Sequence, residues 1–159
     1  LRFSQWKNDD FNALIARTPK ELELFLRPLQ DAGVSAWDVS TRRFWLPAFE
    51  GSDRTLAAWT KHLTGLPTMT VGCVGLEAPR VMSGPAINVG AKLSLQNIDL
   101  ITGMVDRGEI DLVAIGRMLL ANPEWPTLVR NGEFDRLRPY HPEMLRELES
   151  SSVMISKDA

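Results

Sequence analysis

Apolar positions along the chain follow two periods in turn. Short apolar or alternating runs at residues 1–6, 34–40, 68–74 and 111–115 read as strands. Between them lie stretches with apolar residues three and four apart. Thr18-Pro19 opens the first of these. Thr as N-cap with Pro at the first helical position is a start signal, and Glu21 completes a capping-box pattern. Leu22, Phe25, Leu26 and Leu29 follow at helical spacing. Pro28 predicts a kink in this helix, and Gly33 its end. A second helix is predicted from an N-cap at Ser52, with Leu56, Trp59, Leu63 and Leu66 as its stripe and Gly65 near its end. A third carries Leu95, Ile98, Ile101 and Val105 and closes at Gly108. A last helix covers residues 125–131 after Pro123. Residues 75–93 form the longest irregular stretch, a length that marks functional or mobile loops.

Strand and helix thus alternate four times, which is the rhythm of a parallel sheet in an α/β fold. Residues 112–115 are apolar on both faces, as a strand covered by helices requires. Two architectures fit: an open doubly wound sheet, or part of a (β/α)8 barrel. A full barrel needs about 250 residues, so four units amount to half of one. Residues 1–131 read as the four units and residues 132–159 as a polar tail over the exterior, with Trp125 and Tyr140 as anchors.

The 159 residues are 44% hydrophobic and 24% charged, which suits one globular domain and argues against low-complexity, collagen-like or coiled-coil classes. A formal net charge of −2 provides no basic field for nucleic acid. The longest apolar runs fall far short of the ~20 residues a membrane span needs. The first residues lack the apolar segment of a targeting peptide, and Leu1 does not look like a natural start. The single cysteine, Cys73, excludes an internal disulfide and a four-cysteine zinc site, and points to a reducing, cytoplasmic setting.

In parallel α/β folds ligands bind in the loops after the strands' carboxyl ends. Val71-Gly72-Cys73-Val74-Gly75 follows the third strand, and Gly116-Arg117 follows the fourth. Glycines let a backbone approach a ligand and expose its N–H groups, which together can form an anion nest. Arginine adds a planar, permanent cation matched to phosphate oxygens. Either motif alone also reads as a plain turn, but at successive strand ends they suggest a shared phosphate site. Arg2 lies inside the first strand, where a charge needs an anion or polar ring to face; otherwise it reaches to solvent from the strand end. After the second strand comes Ser40-Thr41-Arg42-Arg43-Phe44-Trp45. Arg42 and Arg43 suit an anionic ligand, a barrel rim or a neighbouring subunit, with the rim preferred; Trp45 is placed to line a substrate mouth. His62 and His141 lie away from strand ends and read as surface residues. No nucleophile–base set, metal-ligand spacing or Walker loop is present, so no catalytic or metal residue is assigned.

The segments Leu1-Arg2-Phe3-Ser4-Gln5-Trp6, Asp31-Ala32-Gly33-Val34, Ser40-Thr41-Arg42-Arg43-Phe44-Trp45, Val71-Gly72-Cys73-Val74-Gly75-Leu76 and Gly116-Arg117-Met118-Leu119-Leu120-Ala121-Asn122-Pro123 resemble the old yellow enzyme family. These are FMN-dependent NAD(P)H oxidoreductases, or ene-reductases, built on a (β/α)8 barrel. The resemblance covers nearly the whole chain, but only the C-terminal half of that barrel, strands five to eight. It implies that Arg2 matches the arginine beside the flavin's N1/C2 carbonyl end, where positive charge stabilises the reduced anionic ring. It implies that Gly72 and the Cys73 amide match the strand-seven phosphate loop, and Gly116 and Arg117 the strand-eight clamp. The carbonyl-binding His pair, the proton-donating Tyr and other flavin contacts belong to the half not represented here. The implied partners are therefore a complementary N-terminal half-barrel, in the same or a separate chain, an enone or enal substrate, NADH or NADPH as hydride donor, and a possible second copy. Two other readings stand beside it: a non-catalytic half-barrel that binds a phosphate ligand or a partner, and another phosphate-binding barrel enzyme such as an aldolase. The latter needs a strand-end lysine or acid, and Lys7 is the nearest residue to one.

Overall fold

The computed structural model describes residues 1–6, 12–77 and 90–146. The fold is α/β, with four parallel strands in the sequential order β1-β2-β3-β4: Arg2–Ser4, Trp37–Ser40, Thr68–Val71 and Leu112–Val113. The helices are α1 (Pro19–Asp31), α2 (Leu56–Thr64), α3 (Leu95–Asp106), α4 (Arg117–Ala121) and α5 (Trp125–Arg130), followed by a 3-10 turn at Phe134–Arg136. No helix among the described residues is long and apolar enough to cross a membrane.

The chain divides into two compact units. The first comprises Leu1–Val74 and Ile98–Ala114, and it holds the sheet. Side chains alternate across the strands. Phe3, Trp37, Val39, Thr68 and Thr70 are all buried on one face. α1 packs on α2, which lies against β2 and β3. The opposite face carries the rows Arg2–Asp38–Met69–Leu112 and Ser4–Ser40–Val71, and it is much more open, with Leu112 58% exposed. Ile98, Ile101 and Met104 are the buried stripe of α3, and Leu95 and Val105 are largely exposed. Ile98 and Ile101 are thus buried as expected, whereas Leu95 and Val105 are not, and Met104 takes the place expected of Val105.

Thr18 caps α1, its hydroxyl accepting from the Glu21 amide at 3.2 Å, while the Glu21 carboxylate accepts from the Arg17 amide at 2.8 Å. The helix continues past Pro28 to Asp31. The cap of α2 is Thr55 and not Ser52: Thr55 accepts from the Ala58 amide at 3.3 Å, and the Ser52 hydroxyl accepts from the Arg54 amide. Gly65 ends α2 in the left-handed region, at φ 69°. Asp111 ties this layer to the sheet. It accepts from Lys61 at 2.5 and 2.6 Å and from the Thr68 amide at 2.8 Å.

The second unit comprises Gly75–Asn97 and Ile115–Ala159. Its described part holds two short antiparallel bridges, Leu76 with Leu93 and Ala91 with Tyr140. Trp125 and Tyr140, expected as anchors, are buried here, together with Leu128 and Leu137. α4 was not foreseen as a helix; its five residues give too little periodicity to read. Residues 78–89, most of the long irregular stretch, lie outside the described residues.

Candidate functional site

The carboxyl ends of β1, β2 and β3 open into loops of the first unit. The sequence leads the chain from each strand into a turn fixed by its own hydrogen bonds. After β1, the Ser4 hydroxyl donates to the Trp6 carbonyl at 2.9 Å. Gln5 turns inward and is 2% exposed. Its side-chain NH2 donates to the Ala16 carbonyl, and its carbonyl oxygen accepts from the Ile15 and Ala16 amides, each at 3.1 Å. This buried amide clips the segment before α1 to the strand end. The sequence reading missed it, although a glutamine between Phe3 and Trp6 was a visible polar break in an apolar run.

Arg2 lies on the open face of the sheet. Its guanidinium is 3.6 Å from the Asp38 carboxylate and donates to the Ser40 hydroxyl at 3.4 Å, and its side chain is 61% exposed. The charge is thus steered by its cross-strand neighbours and is accessible from the open side.

After β2 and β3 the two loops are laced together. The Thr41 amide and hydroxyl both donate to the Val71 carbonyl at 2.9 Å, and the Phe44 amide donates to the Gly72 carbonyl at 3.2 Å. Gly72 has φ 151°, and a side chain there would collide with the Thr41 carbonyl. Cys73 follows at φ 55°, a left-handed conformation uncommon outside glycine, and is half-buried. The glycine therefore has a structural cause, the approach of Thr41, and it turns the chain sharply where a strand-end ligand site would lie. Trp45 stacks edge-on against the buried Phe44, with ring centroids 5.1 Å apart. A concavity of roughly 210 Å³ beside these loops is lined by Trp6, Arg42, Arg43 and Leu46.

Gly116 and Arg117 belong to the second unit, just past β4. Gly116 is exposed, with open space where a side chain would stand. The Arg117 guanidinium lies 6.0 Å from the centre of the Tyr140 ring, within cation–π range. Tyr140 is fully buried, and burial raises its hydroxyl pKa above the ordinary value, with Arg117 acting in the opposite direction. Asn122, the asparagine of the Asn-Pro step, is buried and holds the following segment. It accepts from the Arg138 amide at 2.8 Å and donates to the Arg138 carbonyl at 2.9 Å.

Within the first unit Gly72 and Cys73 offer main-chain N–H groups, and within the second Gly116 and Arg117 offer an N–H group and a guanidinium; each is a donor type that suits an anion. His62 and His141 are both exposed, as expected, and no cluster of metal-ligating side chains occurs among the described residues.

No protein-family model matches the chain. A curated NADH oxidase from Thermoanaerobacter brockii is 26% identical over 122 residues, which is 76% of this chain and 17% of that protein. The chain thus spans less than a fifth of the relative it matches. Its similarity is a distant one, to an oxidoreductase.

Proposed function

We propose that this chain is the C-terminal half-barrel of an FMN-dependent NAD(P)H oxidoreductase that reduces the C=C bond of α,β-unsaturated carbonyl compounds. The observation that carries the reading is the sequential parallel sheet, whose neighbouring strands β3 and β4 run out into Gly72-Cys73 and Gly116-Arg117. A sequential order with right-handed crossovers keeps all helices on one side, as in a barrel wall, whereas a doubly wound sheet reverses its order at the switch point. The one-sided burial of β1, β2 and β3 supports the barrel. The distant NADH oxidase similarity supports nicotinamide-linked redox chemistry.

In this reading the Gly72, Cys73 and Gly116 amides and the Arg117 guanidinium hold the FMN phosphate. Arg2, steered by Asp38 and Ser40, presents positive charge to the ring's carbonyl end. Trp45 borders the substrate mouth. When bound, FMN supplies hydride acceptance from NADH or NADPH and hydride delivery to the alkene. Carbonyl activation and the proton come from a complementary half-barrel that covers the open face of the sheet, in a cytoplasmic enzyme.

The test is a titration of FMN and of riboflavin, which lacks the phosphate, into the full chain with and without that half. FMN is expected to bind at least tenfold more tightly than riboflavin, and Arg117→Ala to erase the difference. Equal affinities, or an Arg117→Ala variant that still prefers FMN, would overturn the assignment.

A further inference from the structure

Asp38 lies in the open-face row of the sheet, between Arg2 on β1 and Met69 on β3. One of its carboxylate oxygens, Oδ2, is 3.6 Å from the Arg2 Nε. The other, Oδ1, is buried and accepts no hydrogen bond among the described residues. Asp111 shows the contrasting case of a carboxylate fully engaged in holding elements together, since the Lys61 ammonium and the Thr68 amide both donate to it. Asp38 lacks that compensation, so its field acts undivided on its cationic neighbour. The Arg2 side chain is 61% exposed and that of Asp38 22%. The guanidinium is therefore presented at the open face while its counter-charge stays largely covered. The Ser40 hydroxyl accepts from the same guanidinium at 3.4 Å and orients it without adding charge.

We infer that Asp38 is a positioning residue that sets how much positive charge Arg2 offers to a flavin ring. The inference rests on the flavin reading proposed above and deepens it. A bare guanidinium at the ring's carbonyl end stabilises the reduced anionic ring and raises its reduction potential. A carboxylate this close offsets part of that charge, and offsets more of it once the face is covered and water is excluded. Asp38 thus holds the potential down and keeps the reduced ring a strong hydride donor.

A spectroelectrochemical titration of the FMN-loaded full chain, together with its complementary half, tests it. Asp38→Asn keeps the shape and removes the charge. It is expected to shift the reduction equilibrium at least tenfold toward the reduced ring, a rise of about 30 mV for a two-electron couple. Asp38→Glu keeps the charge, and Ser40→Ala removes a hydrogen bond but no charge, so each should stay within about threefold of the unaltered protein. An unchanged or lowered potential in FMN-loaded Asp38→Asn would overturn the inference and leave the flavin reading standing. An equal rise in Ser40→Ala would make geometry and not charge the cause, and would overturn it as well. An unaltered protein that takes up no FMN would overturn the flavin reading itself, and the inference with it. Should Asp38→Asn fail to fold, Asp38→Ser makes the same measurement.

Discussion

Two glycines in the candidate phosphate loops behave oppositely as residues. Gly72 combines φ 151° with a backbone oxygen where a side chain would go, whereas Gly116 faces open space. Gly72→Ala should therefore cost about 2 kcal/mol or more, from backbone strain and overpacking together. Gly116→Ala should stay within about 1 kcal/mol. Urea midpoints read both, and only the second variant can report on ligand binding without a folding defect. Tyr140 offers another test at this scale, since it is the chain's single tyrosine. Its raised pKa means the neutral form is favoured by folding. The stabilisation is complete below the ordinary tyrosine pKa, about 10, and is lost as pH rises through the higher folded value. Tyrosinate absorbance should titrate above pH ~10 in the native chain and return to the ordinary range in urea. The polar clips were the residues least legible in the sequence. Gln5, Asn97 and Asn122 satisfy distant backbone groups, and a long-range hydrogen bond leaves no periodic trace.

Elements were legible where a local signal was unique, and misread where two signals competed. The Thr18 cap and the Gly65 stop needed only local chemistry. The cap expected at Ser52 is instead Thr55, a residue that also bridges Pro47. In α3 the face was set by packing, and Met104, a flexible gap-filler, took the place expected of Val105. Strand lengths shrank because only part of each expected run pairs: Trp37–Ser40 of 34–40, Thr68–Val71 of 68–74 and Leu112–Val113 of 111–115. Between elements, Asp111 joins α2 to the start of β3. The Lys61 ammonium first, and the Thr68 amide second, hold its carboxyl below the usual carboxylate range. A depressed folded pKa gives stability that is present above the ordinary aspartate value, near 3.9, and lost as pH falls through the lower folded value. With its side chain 38% exposed, the effect is modest. Asp111→Asn should cost about 1 kcal/mol at neutral pH and flatten the acid limb of the stability profile, as followed by circular dichroism.

At the scale of the molecule, that Gly72-Cys73 and Gly116-Arg117 follow β3 and β4 was legible from the alternation of strand and helix. Their neighbours were not, since loop geometry depends on contacts across the sheet. Among the described residues, β1 and β4 each pair on one side only, and the open face displays Met69, Val71 and Leu112. Uncovered edges and an apolar face favour self-association. The isolated chain should associate in sedimentation equilibrium. Leu112→Lys on the edge strand should shift it toward monomer, with thermal stability changed by no more than about 0.5 kcal/mol. A variant that associates as before would show that the contact lies elsewhere.

The lacing of Thr41 and Phe44 onto Val71 and Gly72 has a mechanical meaning. The two mouths it stitches are yoked, so neither can swing outward without unfastening the other. Any molecule that stiffens one of them therefore stiffens both. An occupant held at the glycine turn would therefore also steady the loop after β2, through rigidity shared along this seam.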